Sequence, residues 1–295
     1  MTRFRTFECS RAELTPEGLQ FITVKSPALG RRADVLLFMP RQALGAPTPP
    51  EGSSRPAPQP LPLVILLHGV YGSHWSWAFQ GAAHHTAQRL IDAGTLPPMA
   101  LAMPSDGLWG DGSGYVAHHP VGESSAGETH DVERWIVEEV PALCSQAQPA
   151  LGAAAPLFIA GLSMGGFGAL RLAGKYPQRF AAAAGHSTVT EAAQLDALMA
   201  EARTTWSAAP ADQSVLQALR SAGPALPPLR FDCGRDDPFL QANRHLHHSL
   251  LAAGIAHTYE EHEGGHGWDY WTRHLEDTLR FFAAVLAAAE HRGQS

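Results

Sequence analysis

The chain has only three cysteines, Cys9, Cys144 and Cys233, and no C-x-x-C pair among them. An odd, widely spaced set excludes a disulfide framework and a zinc knuckle and leaves three ordinary thiols. Positive charge is scarce too. The formal net charge is −7, so no broad basic surface meets a phosphate backbone and no nucleic-acid partner is expected. No apolar run approaches the ~18 residues of a membrane span. The start, Thr2-Arg3-Phe4-Arg5-Thr6-Phe7-Glu8, carries charges where a signal peptide has its apolar stretch, so a cytoplasmic protein without a membrane partner is expected. Lysine is limited to Lys25 and Lys175 and asparagine to Asn243, a skew without functional content. What the chain does have is 295 residues, 45% of them hydrophobic and 17% charged. That is enough to bury a large core, and it excludes disorder or a fibre.

Two short alternating stretches, Leu19 to Val24 and Arg32 to Met39, read as an antiparallel strand pair turned at Pro27 to Arg31. Residues 45–62 hold seven prolines with Gly, Ser and Thr, an extended surface loop that cannot pack a core. From Leu63 onward, short apolar runs alternate with helical segments, the pattern of a mostly parallel central sheet with helices on both faces. Strands are expected at Leu63–Leu67, Met99–Met103, Leu157–Ala160, Phe180–Ala184, Leu229–Cys233 and Ala256–Glu261. Helices are expected at Ala82–Ala93, His130–Gln146, Met164–Tyr176, Phe239–Ala253 and Trp268–Ala289, with Pro141 kinking or ending the second. Glu191 to Ala222 holds two more helical patterns broken at Pro210, more than a crossover needs, and reads as a lid or pocket-wall insertion. No internal repeat is present, so residues 1–295 are expected to form a single α/β domain.

Gly161-Leu162-Ser163-Met164-Gly165 lies between an expected strand and an expected helix, the context a G-x-S-x-G nucleophile elbow requires. A serine hydroxyl is a weak nucleophile, and such a turn lifts it clear of the sheet at a helix N-terminus, where negative charge is favoured. In chain order, an acid and a histidine should follow on loops after later strands. Asp236 and Asp237 both leave the strand ending near Cys233, and either can be the acid, the other capping the next helix. Gly264-Gly265-His266-Gly267 is a flexible loop that offers His266 as base. The same histidine ends His262-Glu263-Gly264-Gly265-His266, a literal H-E-x-x-H. That pattern binds zinc only on a helix, which two adjacent glycines oppose, so no metal and no cofactor are expected. For the oxyanion of acyl transfer, Met164 supplies one N–H, and the turn Gly69-Val70-Tyr71-Gly72 supplies the other from Val70, with Gly69 the neighbouring alternative. His68 reads as a brace beneath that turn.

Through Leu66-Leu67-His68-Gly69, Gly161-Leu162-Ser163-Met164-Gly165-Gly166, Asp237-Pro238-Phe239-Leu240 and Gly264-Gly265-His266, the chain resembles the esterase D-like esterases of the alpha/beta-hydrolase superfamily. These include tributyrin esterases, S-formylglutathione hydrolases and mycolyltransferases, and the similarity runs from about Leu19 to Phe282. It implies the alpha/beta-hydrolase fold and a Ser163, Asp237, His266 triad, with Asp237 preferred to Asp236 because the family's acid stands two positions before the aromatic-leucine pair. It also implies Val70 and Met164 as oxyanion donors. His68-Gly69-Val70-Tyr71-Gly72 departs from the threonine and cysteine of the S-formylglutathione hydrolases, and the expected absence of an export signal argues against mycolyl transfer. The expectation is a serine carboxylesterase acting on short-acyl esters through an acyl-enzyme, with a small-molecule ester as partner and homo-oligomerisation left open. S-formylglutathione hydrolysis and acyl transfer are the alternatives on this fold. A zinc hydrolase using His262 and His266, or a non-catalytic binding module, are those from other classes. Aromatics cluster near the expected site, at Tyr71, Trp75, Trp77, Trp109, Tyr115, Trp268, Tyr270 and Trp271; of these Tyr71, Trp77, Trp109 and Trp268 are the expected substrate contacts, with Trp77 and Trp109 on strand-end loops as pocket walls.

Overall fold

The computed structural model describes residues 4–15, 18–44, 60–108, 110–118, 130–152 and 154–293. Most of the Pro-rich 45–62 stretch and Trp109 lie outside them. Eleven strands are formed by the described residues: β1 Phe7–Cys9, β2 Leu19–Lys25, β3 Arg32–Phe38, β4 Leu63–Leu67, β5 Ala100–Pro104, β6 Ala117–His118, β7 His130–Asp131, β8 Leu157–Leu162, β9 Ala182–His186, β10 Leu229–Gly234 and β11 Thr258–His262. Nine make one sheet in the order β1-β2-β3-β5-β4-β8-β9-β10-β11, and β6 pairs with β7 apart from it. From β1 to β5 the pairing is antiparallel, and from β5 across to β11 it is parallel. The expected N-terminal pair is thus present, extended at its edge by β1.

The parallel half is buried on both faces. Along β4, Leu63, Ile65 and Leu67 enter one core with Trp135, Phe167 and Leu170, while Val64 and Leu66 enter the other with Trp77, Leu275 and Phe282. This period-2 division explains why β4 reads as an unbroken apolar run. Helices α1 Ser76–Phe79, α2 Ala83–Asp92 and α9 Trp268–Gly293 cover the second face. The first face is covered by α3 Val132–Arg134, α4 Val140–Ala147, α5 Met164–Lys175, α7 Val215–Ala222 and α8 Leu240–Ala252, with α6 Pro210–Gln213 leading into α7. None of the helices among the described residues is long and apolar enough to cross a membrane.

Two local expectations are refined. Of the two outcomes expected at Pro141, the helix does not end there: a π-helical turn at Trp135–Glu139 joins α3 to α4, and Val140 N–H reaches back to Trp135 O. The widened turn accommodates the proline ring. Pro210 starts α6 rather than only interrupting a helix, its missing N–H being harmless at a first turn. The surrounding segment is packed: Leu195 and Trp206 are buried in the core, and the Asp212 carboxylate accepts from buried Arg171 on α5 at 2.9 Å.

Candidate active site

Ser163, Ser187, Asp237 and His266 all follow the C-terminal ends of parallel strands, β8, β9, β10 and β11 respectively. In parallel sheets this is the edge where loops build binding sites. The chain turns from β8 into α5 at Ser163, whose φ of +53° and ψ of −117° lie outside the regions an L-residue ordinarily adopts. The turn is pinned by Ser163 N–H donating to His186 O at 2.9 Å. Its two glycines are dictated by close approach. A Cβ on Gly161 would lie 2.2 Å from Gly165 O, and one on Gly165 would lie 2.2 Å from Leu67 O. Only bare backbone fits between strand and helix.

The loops after β10 and β11 are tied together by Arg235 N–H donating to His262 O at 2.8 Å and Asp236 N–H to Gly264 O at 2.9 Å. They present Asp237 and His266 to each other. His266 Nδ1–H donates to Asp237 Oδ2 at 2.9 Å, and Ser163 Oγ–H donates to His266 Nε2 at 3.0 Å. Asp237 Oδ1 accepts Phe239 N–H at 2.8 Å. Burial pushes the Asp237 carboxyl up. The hydrogen bond and charge of His266, the Phe239 N–H and the Ser187 hydroxyl together outweigh it and hold the carboxyl below its ordinary value. Asp236 is exposed and only its backbone takes part. A hydroxyl, an imidazole and an ionised carboxylate in series can activate the hydroxyl as a nucleophile and store its proton on the ring.

Met164 is the first residue of α5, and Val70 follows β4 in the turn beside it. A Cβ on Gly69 would lie 3.5 Å from Ser163 Cβ, so this turn abuts the serine. Among the described residues, neither the Met164 nor the Val70 N–H has a backbone partner outside regular elements, which leaves both available to an anion. His68 Nδ1–H donates to Gly69 O at 2.8 Å, and Tyr115 OH donates to His68 O at 3.0 Å. This is the bracing role expected of it.

The family model described as "Putative esterase" matches residues 26–282. The chain belongs to that esterase family. An acetyl esterase from Caldicellulosiruptor saccharolyticus is 26% identical to this esterase over 242 residues, spanning 76% of this chain and 84% of the relative. Among solved structures, a ferulic acid esterase superposes with a TM-score of 0.72 at 21% identity, covering 95% of this chain and 99% of that one. An S-formylglutathione hydrolase from Agrobacterium tumefaciens gives 0.68 at 19% identity, covering 97% and 100%. FphF, a fluorophosphonate-binding serine hydrolase of Staphylococcus aureus, gives 0.72 at 21% identity over 91% of this chain and 99% of its own. The fold is the alpha/beta-hydrolase fold.

The expected pocket residues fare unequally in the esterase. Trp77 is corrected. It lies on α1 rather than a loop, is 1% exposed, and donates its indole N–H to Leu67 O at 2.9 Å while packing edge-on against Trp268 at 5.6 Å. The glycine-rich stretch before it suggested a loop, but Ser73 O takes Ser76 N–H at 3.0 Å and starts a helical turn that carries Trp77 into the core. Tyr71 is exposed and has a φ of +60°. Trp268 is half-buried and stands edge-on to Trp271, which in turn contacts His266. Trp271, one of the aromatics expected near the site, stands edge-on to His266. Ser187 was not expected there, because a serine in Ser187-Thr188-Val189-Thr190 carries no motif.

The H-E-x-x-H lacks its helix. His262 ends β11, His266 lies in the following loop, and both ring nitrogens of His266 are engaged by Ser163 and Asp237. Among the described residues, His262, His274 and Asp277 form a cluster with ligand-type atoms within 4.8 Å. The two imidazoles are stacked at 4.1 Å and 11°, so one ion cannot lie in both ring planes, where the nitrogen lone pairs point. The residues present do not fit a metal.

Proposed function

We propose that this esterase is a serine carboxylesterase of short-acyl esters in which Ser163 is the nucleophile, His266 the general base and Asp237 the acid. The observation that carries the reading is the unbroken hydrogen-bond series from the Ser163 hydroxyl through both nitrogens of His266 to the buried Asp237 carboxylate. Ser163 Oγ attacks the ester carbonyl carbon as its proton passes to His266 Nε2. The Met164 and Val70 N–H groups receive the oxyanion, and Asp237 remains ionised opposite the imidazolium. Collapse of the tetrahedral species breaks the bond to the alkoxy oxygen, which leaves as alcohol with the proton from His266. Water, deprotonated by the same ring, then attacks the acyl-serine, and the acid departs.

A short acyl group is supported by the acetyl esterase relative and by a wall tied down beside the oxyanion turn. Asp111 O accepts Tyr71 N–H at 3.1 Å. The Asp111 carboxylate accepts the N–H groups of Ala200 and Glu201 at 2.7 and 2.9 Å. The 191–222 segment therefore acts as a fixed pocket wall, and Tyr71 and Trp268 are the side chains offered to substrate. A fluorophosphonate probe tests the nucleophile: mass mapping is expected to place one adduct on Ser163. An adduct elsewhere, or chelator-sensitive hydrolysis without an adduct, refutes the assignment.

A further inference from the structure

Asn243 is the chain's only asparagine. It stands inside α8, where asparagine is a poor helix former, and it is wholly buried, where an amide needs hydrogen-bond partners. Its Nδ2 donates to Phe239 O at 3.0 Å and to Thr188 O at 2.8 Å. The helix does not require the first bond, because the same Phe239 carbonyl already accepts Asn243 N–H at 3.0 Å. The second crosses to the segment that follows β9, where the ladder between β9 and β10 has ended at the His186–Asp232 pair. The amide is thus a bridge between the segment after β9 and the turn that opens α8.

Each end of the bridge reaches the triad. On one side, the segment after β9 grips the elbow main chain: Ser163 N–H donates to His186 O at 2.9 Å, and Val189 N–H donates to Ser163 O at 3.3 Å. On the other, Phe239 N–H donates to Asp237 Oδ1 at 2.8 Å, and the Phe239 ring stands against the His266 imidazole with centroids 5.2 Å apart. We propose that Asn243 is a positioning residue of the esterase, whose amide sets the spacing between the Ser163 elbow and the turn that carries Asp237 and Phe239. The proposal rests on Ser163, His266 and Asp237 being the triad. Being wholly buried, Asn243 meets no substrate and acts through Thr188 and Phe239. Without the amide, Thr188 O loses that donor and the start of α8 is free to shift against the segment after β9. Such a shift carries Asp237 and the His266 ring out of line with Ser163 Oγ.

The test compares full-length wild type with Asn243→Leu, Asn243→Ser and Leu250→Ala. It reads kcat and KM on p-nitrophenyl acetate, the rate of phosphonylation by a fluorophosphonate, and Tm. Leucine fills much the same volume without a donor. Serine can still donate to the carbonyl four residues back, which is Phe239 O, but its single hydroxyl proton then leaves Thr188 O unserved. Leu250→Ala opens a cavity on the buried face of the same helix, about two turns from Asn243. Both Asn243 variants are expected to lose about 10-fold to 100-fold in kcat with KM within about twofold, and to be phosphonylated more slowly by a like factor, since both reactions need a serine aligned with its base. Leu250→Ala should lower Tm at least as far and keep wild-type kcat. Folded Asn243 variants with wild-type kcat overturn the proposal, as does wild-type kcat in Asn243→Ser alone, which would make the Phe239 bond sufficient. A matching loss of kcat in Leu250→Ala, or failure of both Asn243 variants to fold, reduces Asn243 to a stability role and overturns it too. In each of those cases an adduct on wild-type Ser163 leaves the triad standing. A wild type that takes no adduct on Ser163 overturns the triad reading and this proposal with it.

Discussion

His186 Nδ1 and Asp232 meet at 3.0 Å behind the active-site edge of the sheet, with neither side chain exposed to solvent. Thr278 OH donates to the other ring nitrogen at 3.1 Å, Tyr270 OH donates to Asp232 at 2.9 Å, and Arg230 bridges Asp232 to Glu260. The network ties β9, β10 and α9 together directly beneath the loops that carry Ser187, Asp237 and His266. Its carboxylate, hydrogen-bonded imidazole and hydroxyl repeat the chemistry of the site above, but burial keeps them from any substrate.

Acid stability should depend on Asp232. Burial pushes its carboxyl up, but His186 and Arg230 more than offset this and hold it well below the usual range. A carboxyl depressed in the folded state contributes stability that is complete above the unfolded value of about 3.9 and lost as pH falls below it. Asp232→Asn should cost about 3 kcal/mol at neutral pH, because Arg230 and His186 lose a buried partner, and should flatten the loss of stability below about pH 4. Urea unfolding at several pH values reads both effects, and an unchanged midpoint at pH 7 would contradict the first.

Ser163→Ala should abolish hydrolysis of p-nitrophenyl acetate while shifting Tm little, since one buried oxygen is removed from a turn held by backbone bonds. More than a few per cent of wild-type turnover would rule the serine out as nucleophile.

The two neighbouring aspartates should separate sharply. Asp237→Asn is expected to lose on the order of 10⁴ in kcat by stabilising the wrong tautomer of His266. Asp236→Asn should lose less than about twofold, because its side chain is exposed and only its backbone, which the substitution keeps, holds the loops together. Steady-state kinetics of both variants decide the matter, and the reverse ranking would move the acid by one residue.

Acyl length should be limiting. Across p-nitrophenyl esters, kcat/KM should peak between acetyl and butyryl and fall beyond about six carbons, where added methylenes find no space in which to gain burial. A maximum at about eight carbons or longer would show that the wall formed by residues 191–222 opens onto a longer groove.

Thiol reactivity should be confined to Cys9. Burial pushes the Cys144 thiol up to about 12. Burial, followed by the nearby charges of Asp237, Asp232 and Glu261, pushes Cys233 up as well, so neither offers a thiolate near neutrality. Cys9 is exposed. An Ellman titration should find about one reactive thiol in native protein and all three after denaturation. Rapid reaction of Cys233 in native protein would mean that the loop before Asp237 opens.

The sequence was legible wherever a residue is forced by its own neighbours. β4 shows as Leu63–Leu67 because every position is buried, and the elbow shows because Gly161 and Gly165 have no alternative. β9 was expected two residues early, at Phe180 to Ala184: Phe180 is buried by packing before the ladder begins, and Ala-Ala-Ala-Gly has no alternation to mark its register. β1 was missed as too short to stand out. Between Asp236 and Asp237 the residues alone could not choose, since both leave the same strand; the resemblance implied Asp237, and the folded loop turns that carboxylate to His266. Ser187 was hidden for a related reason. Its position depends on contacts with Asp232 and Trp271, which lie 45 or more residues away along the chain.

The strained elbow also constrains history. Ser163 has a φ that a β-branched residue adopts only at severe cost, and a methyl group on Gly161 or Gly165 would collide with main-chain carbonyl oxygen rather than with a side chain able to yield. Threonine at position 163 would meet that strain directly, so it is a poor replacement for the serine of this elbow. On the proposed reading, descendants of this chain can alter the ester they accept, through the loops around the site, long before they can alter the elbow that carries the attacking atom.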